Sequence, residues 1–242
     1  MAGVVVFTAT YDEAGNIEAW LDGVRSAAPD ARMLVIDDNS PDGTGRILDA
    51  RAAQDELLTV IHRAGKSGLA SAHLQAMRWS LDNGFDVLVT MDADGSHLPS
   101  QIPRLLAALP GQDFVIGTRY RGGSHQAGTF RRVLSAGANG MARVILPTGL
   151  SEYTTSFRAF GRSALEVLVG SEFVSGGYAF FLECIEILHQ AGEKMTEVPI
   201  DFVDRTHGSS KIPKSQIFMS IQALVSIGIR RRRKPQQSSE RA

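Results

Sequence analysis

Apolar positions along this chain follow two alternating rhythms. Three short continuous runs, "VVVFTATYDE" from Val4, "MLVIDDNSPDG" from Met33 and "VLVTMDADGSH" from Val87, each end in acidic or polar residues. Between them the apolar positions recur at helical spacing, with Ile17, Trp20, Leu21 and Val24 as one stripe and Leu69, Ala72, Leu74, Ala76, Met77 and Leu81 as another. Continuous strands alternating with amphipathic helices predict βαβ units and a parallel sheet covered on both faces. A helix after Pro99, carrying Leu105, Leu106 and Leu109, leads into a fourth strand, "DFVIGTRY" from Asp113. Beyond Asn139 the pattern turns to α+β. Leu134 to Leu146, Ser163 to Val169 and "GYAFFLECIEILHQAG" read as helices, and "MTEVPIDFVDR" as a strand broken at Pro199. No internal repeat is evident. The fold class expected is α/β, one domain around a mixed, mainly parallel central sheet flanked by helices.

Composition narrows this picture. With 242 residues, 43% hydrophobic, the chain can bury a substantial core. Its 25 Lys and Arg nearly balance 26 Asp and Glu, so no global field favours nucleic acid, and none is expected as a partner. One cysteine, Cys184, excludes an intramolecular disulfide and a Cys-rich zinc site. The N-terminus lacks a basic n-region and reads as the first strand. No window reaches the roughly 18 apolar residues of a spanning helix. The expected location is cytoplasmic, with peripheral contact at the cytoplasmic membrane face as an option. That option rests on "QIFMSIQALVSIGIRRRRK", where an apolar stripe adjoins five basic residues; a helix packed on the domain with a solvated basic end explains it equally well. The expected organisation is a catalytic domain over 1–212, an amphipathic helix over 213–230 and a basic disordered tail over 231–242.

Ligands of open parallel sheets gather beyond the carboxyl ends of the strands. Here those ends carry Asp12 and Glu13, Asp37 and Asp38, Asp92 and Asp94, and Arg119. Adjacent strand residues face opposite ways, so one of Asp37 and Asp38 should face the crevice and the other its support. Asp92 and Asp94, two apart, can share a side and offer hard oxygen ligands to Mg²⁺ or Mn²⁺. A bare D-x-D is also compatible with a polar turn. Asp42 and Asn39 suit turns. Arg63, Lys66, Arg119, Arg131, Arg132, Arg205 and Lys211 supply positive charge suited to a phosphate leaving group. Ser96 is either a neighbouring ligand or a helix cap, and His97 either contacts ion or phosphate or packs.

In order, "TATYDEAGNI", "LVIDDNSPDGTG", "HRAGKSGLASA", "MDADGSH", "VIGTRYRGG", "RRVLSAGAN", "TSFRAF" and "EVPIDFVDRTHGSSK" resemble the motifs of polyprenol-phosphate mannose synthases, inverting family-2 glycosyltransferases of GT-A (Rossmann-like) fold. The resemblance covers roughly residues 3 to 212. It implies that Thr10, Tyr11 and Glu13 border the nucleotide base, that Asp37 or Asp38 touches base or ribose, and that Asp92 lies by the ribose. It places Asp94 on the metal with Ser96 beside it, Arg119, Arg131 and Ser135 on the acceptor phosphate, and Arg205 and Lys211 on the donor diphosphate, with Lys66 counted on the donor side. A mobile acceptor loop would span about 122–130. The implied reaction moves mannose from the donor GDP-mannose to a polyprenyl phosphate acceptor, with Mg²⁺ or Mn²⁺.

The chain departs from the family pattern in several places. Ala9 replaces a proline, Gly95 a leucine and Phe181 a glutamine; Glu152 and Ser156 replace the Asp and Gly of Asp-x-Thr-Ser-Gly-Phe-Arg; the acceptor loop lacks its tryptophan. Most of these changes lie toward sugar and acceptor. They leave open another sugar nucleotide, UDP-glucose or UDP-N-acetylglucosamine, or a soluble acceptor. A phosphorelay receiver would place its acidic pair after the first strand in a chain half this size. A silent nucleotide-sugar-binding subunit would bind without turnover.

Overall fold

The computed structural model describes residues 3–125, 137, 139–177 and 179–203. The elements are β1 (Val4–Thr10), α1 (Ile17–Ala27), β2 (Arg32–Asp37), α2 (Thr44–Ala52), β3 (Leu58–His62), α3 (Leu69–Asp82), β4 (Val87–Thr90), a 3-10 turn (Pro99–Gln101) running into α4 (Ile102–Ala108), β5 (Phe114–Thr118) and β6 (Ser124–His125). There follow a helix α5 over 139–145, then β7 (Arg158–Gly161), α6 (Arg162–Val169), α7 (Ala179–Ala191), β8 (Met195–Pro199) and β9 (Asp201–Phe202).

A seven-stranded sheet in the order β3-β2-β1-β4-β7-β5-β8 forms the centre. All its pairings are parallel except the two made by β7. The alternation of strand side chains separates two apolar layers. Val5 and Phe7 of β1 join Leu34, Phe114, Phe160 and the buried residues of α3, α6 and α7 on one face. Val6 points the other way, with Met33, Val89, Val115 and the Ile17–Trp20–Leu21–Val24 stripe of α1. Both faces are therefore covered, which is why the strands read as continuous apolar runs.

Two strands of the central sheet, and the two-residue β6 outside it, escaped the sequence reading. β3, "LTVIH", lies at the sheet edge, where only Leu58 is fully buried, so it carries no apolar run. β7, "RAFG", begins with Arg158, which is 0% exposed. Its Nε, Nη1 and Nη2 donate to the carbonyls of Thr155, Phe181 and Tyr153 at 2.7, 2.9 and 2.7 Å. Burial pulls its pKa down to about 10. A charged residue at the head of a strand hides that strand from any apolar-run criterion. Being antiparallel, β7 brings its entering residues 152–157 to the carboxyl ends of β4 and β5.

The broken strand at Pro199 appears as β8 and β9, with β9 paired to β6 in a small second sheet. Gly123 sits at this junction: a Cβ there would lie 2.2 Å from the Thr118 carbonyl oxygen and 2.6 Å from that of Ile200. Only glycine permits that approach. The expected 213–230 helix, the 231–242 tail, most of the 122–130 loop, and Arg131, Ser135, Arg205 and Lys211 lie outside the described residues.

Candidate active site

The loops leaving β1, β2, β4 and β5, together with the segment entering β7, meet along one edge of the sheet. On the β1–β2 side Asp37 is almost wholly buried. Its Oδ1 accepts the Thr10 hydroxyl at 3.0 Å and the Ser40 hydroxyl at 2.6 Å, and its Oδ2 accepts the Ser40 N–H at 3.2 Å. Asp38, 7% exposed, pairs with Arg63, whose Nη1 donates to Ser71 Oγ at 2.7 Å. Both carboxylates are thus engaged by protein. The strand alternation predicts one acid toward the crevice and one toward the support; Asp37 takes the supporting role, and Asp38 is tied to the loop before α3.

Asp12 has a φ of 60°, and its N–H donates to Ser40 Oγ at 3.1 Å. Glu13 Oε2 accepts Asn16 Nδ2 at 2.7 Å, while its N–H donates to Thr44 Oγ1 at 3.0 Å. Asp42 accepts the Ala14 N–H at 2.9 Å and the Thr44 hydroxyl at 2.6 Å, the turn role its sequence context predicts. Lys66 Nζ stands 3.9 Å above the ring of Tyr11, which is 38% exposed. A flat aromatic with an ammonium over it is a natural border for a planar ligand.

On the β4 side the backbone turns sharply at Gly95, φ +80°, a left-handed conformation for which glycine is best suited. Asp94 is 3% exposed, and its Oδ1 accepts the Ser96 N–H at 3.0 Å. The Asp92 side chain is 40% exposed, and its Oδ1 accepts the Ser156 hydroxyl at 2.6 Å. His97 answers its two alternatives in favour of packing. Its Nδ1 accepts the Asp92 N–H at 3.0 Å, which leaves the proton on Nε2 to be donated to Thr155 Oγ1 at 3.1 Å. Its ring contacts Phe157 and Phe202 at 5.2 and 5.4 Å between centroids. Burial lowers the His97 pKa despite the opposing pull of Asp92 and Asp94.

With both imidazole nitrogens engaged, the donors left at this corner are oxygens. Among the described residues no three His, Cys, Asp or Glu side chains gather as a metal cage. A pair of carboxylates fits a hard divalent ion that keeps waters and takes its remaining ligands from a diphosphate.

On the β5 side Arg119 is held flat by Glu152. Its Nε donates to Oε2 at 2.8 Å and its Nη2 to Oε1 at 3.0 Å, with a further bond from Nη2 to Thr154 Oγ1 at 2.8 Å. Burial alone would raise the Glu152 carboxyl, but the charge and hydrogen bonds of Arg119, with those of Thr154, outweigh it and the pKa is lowered. Burial likewise opposes the Arg119 charge, Glu152 outweighs it, and the net shift is upward. Asn139 Nδ2 donates to the Tyr120 hydroxyl at 3.0 Å, and its Oδ1 accepts the Tyr153 N–H at 2.7 Å.

The structure therefore brings Thr10, Tyr11, Glu13, Asp37, Asp38, Lys66, Asp92, Asp94, Ser96 and Arg119 to one edge. Glu152, Thr155 and Ser156 were not singled out as site residues from the chain alone. Glu152 and Ser156 were marked only as departures from a motif and Thr155 not at all, because the strand that delivers them was not recognised.

Residues 5–169 match the family model described as glycosyl transferase family 2, and the chain belongs to that family. It is a glycosyltransferase. It is 39% identical over 211 residues to the undecaprenyl-phosphate mannosyltransferase of Micrococcus luteus, covering 86% of this chain and 87% of that one. To the polyprenol monophosphomannose synthase of Mycolicibacterium smegmatis it is 40% identical over 232 residues, 94% and 88% of the two chains. Among solved structures, the mannosyltransferase PcManGT of Pyrobaculum calidifontis, in complex with GDP-Man and Mn²⁺, superposes with a TM-score of 0.66 at 21% identity, covering 97% of this chain and 65% of that one. That likeness speaks for the fold, a GT-A-like α/β domain.

Proposed function

We propose that the chain transfers mannose from GDP-mannose to a polyprenyl monophosphate, with inversion at the anomeric carbon and a divalent ion, Mg²⁺ or Mn²⁺, at Asp94. The observation that carries this reading is the corner where the Asp92–Ser96 turn meets the segment entering β7, with Asp92 bonded to Ser156 and with Asp92, Asp94 and the Arg119–Glu152 pair all gathered around His97. The names of the two relatives above, and the donor and ion bound by PcManGT, support the donor, the acceptor and the metal.

Thr10, Tyr11, Glu13 and Lys66 border the base, with one of Asp37 and Asp38 at its edge, and Asp92 lies by the ribose. A divalent ion held by Asp94, with Ser96 beside it, would supply positive charge to the diphosphate. Arg205 and Lys211 add to that charge on the donor side, while Arg119, Arg131 and Ser135 hold the acceptor phosphate. An oxygen of that phosphate is already anionic, so it forms its bond to the sugar C1 without a general base. The bond from C1 to the diphosphate oxygen breaks, and the nucleoside diphosphate leaves with its electron pair. Catalysis then rests on alignment and on a preorganised positive field.

No helix among the described residues is long and apolar enough to cross a membrane. The acceptor is lipid-linked in this reading, and the 213–230 segment with its basic neighbours brings the chain to the cytoplasmic membrane face.

Incubation with GDP-mannose, UDP-glucose and UDP-N-acetylglucosamine in turn, each with Mn²⁺ and undecaprenyl phosphate, tests it. The expected result is a lipid product heavier by one hexose with GDP-mannose alone. A product from a UDP-sugar only, or no lipid product, contradicts it.

A further inference from the structure

Ser156 stands where the resembled family carries glycine, and its side chain makes a contact that glycine cannot. The residue is 4% exposed. Its carbonyl accepts the hydroxyl of Thr90, the last residue of β4, at 2.5 Å. The β4–β7 register aligns Thr90 with Arg158, which fixes the backbone of Ser156 relative to β4. From that anchored position its hydroxyl reaches Asp92 Oδ1 at 2.6 Å. The Asp92 backbone is held separately, by His97 Nδ1 at 3.0 Å. Asp92 Oδ2 lies 3.8 Å from that nitrogen, beyond hydrogen bonding. A partly exposed carboxylate is thereby deprived of its ordinary rotational freedom, with Oδ1 tied to Ser156 and Oδ2 left without a hydrogen bond to His97.

We propose that Ser156 is a positioning residue for the donor half of the site, setting the orientation in which Asp92 meets the ribose of the nucleotide sugar. The inference rests on the reading of Asp92 given under the proposed function. Ser156 itself does not touch the reacting atoms. Its effect falls on donor binding, because the oriented oxygen meets the ribose equally in the ground state and in the transition state.

Steady-state kinetics of Ser156→Gly, Ser156→Ala and Ser156→Thr with GDP-mannose, Mn²⁺ and undecaprenyl phosphate test this. Loss of one hydrogen bond to a charged group should raise the donor KM about 3- to 10-fold in the Gly and Ala variants, with kcat changed less than about twofold. Threonine keeps the hydroxyl and should restore KM to within about twofold of the parent. Glycine is the residue usual at this position in the resembled family, so that variant guards against a folding failure of the others. An unchanged KM in the Gly and Ala variants, or a Thr variant as weak as Ala, overturns the proposal. If the parent enzyme uses a UDP-sugar instead, the donor reading falls and the same four-way KM comparison, made with that sugar, decides Ser156. If the parent neither turns over any of the donors nor binds GDP or UDP with Mn²⁺, both fall together.

Discussion

β2 and β4 lie on either side of β1, and each leads into two carboxylates, yet only Asp92 of the second pair is partly exposed. Asp37 and Asp38 are 2% and 7% exposed and hold Thr10, Ser40 and Arg63. Asp92 is 40% exposed at its side chain, and Asp94 sits in a turn closed by Gly95. In sequence the two pairs look like equal candidates. The difference comes from what the neighbouring loops supply: hydroxyls and an arginine for the first, and for the second one hydroxyl on a partly exposed Asp92 and a backbone N–H on a buried Asp94. In the function proposed above, one of Asp37 and Asp38 borders the base, while Asp92 meets the ribose and Asp94 the divalent ion.

The largest effect expected from breaking this contrast is on stability. Asp38→Ala leaves the Arg63 charge, 10% exposed at its side chain, without its carboxylate. The cost should be about 3–5 kcal/mol, read from urea denaturation. Asp94→Asn should do the reverse. It should lower kcat/KM about 100- to 1,000-fold, as loss of a group that stabilises leaving-group charge does, while the urea midpoint stays at its parent value.

A pH series keeps the two pairs from being confused with an unrelated acid sensitivity. His73 lies among Phe7, Phe180 and Phe181, and burial lowers its pKa to about 4. Its folded pKa lies below the unfolded value of 6.5, so the neutral form is favoured by folding. The stability it confers is complete above pH 6.5 and is lost as pH falls toward 4, amounting to about 3 kcal/mol. His73→Met, uncharged throughout, should flatten the melting-temperature profile across that interval. The smallest effect concerns the turn itself. Gly95→Ala places a Cβ at φ +80° and should cost about 1 kcal/mol in denaturant unfolding.

Much of this arrangement was legible in the chain, and what escaped has a physical reason. The β1, β2, β4 and β5 runs and the α1 stripe appear where their periodicity puts them, since a sheet covered on both faces writes itself as apolar runs. The acidic strand ends were visible for the same reason. β3 was lost because an edge strand needs few apolar residues, and β7 because its first residue is a buried arginine whose charge is met by carbonyls. With β7 went the roles of Glu152 and Ser156, which depend on an antiparallel strand arriving beside β4 and β5. His97 could not be decided from type and spacing. The bonds from the Asp92 N–H and to Thr155 Oγ1 show that both of its nitrogens are engaged by the protein.

Calorimetric titration of GDP into the parent protein and into Asp94→Asn, each with Mn²⁺ and with EDTA, tests the division of labour most directly. The parent should bind at least about tenfold tighter with Mn²⁺, and Asp94→Asn should bind equally weakly under both conditions. An Asp94→Asn protein that keeps the full Mn²⁺ enhancement would contradict it.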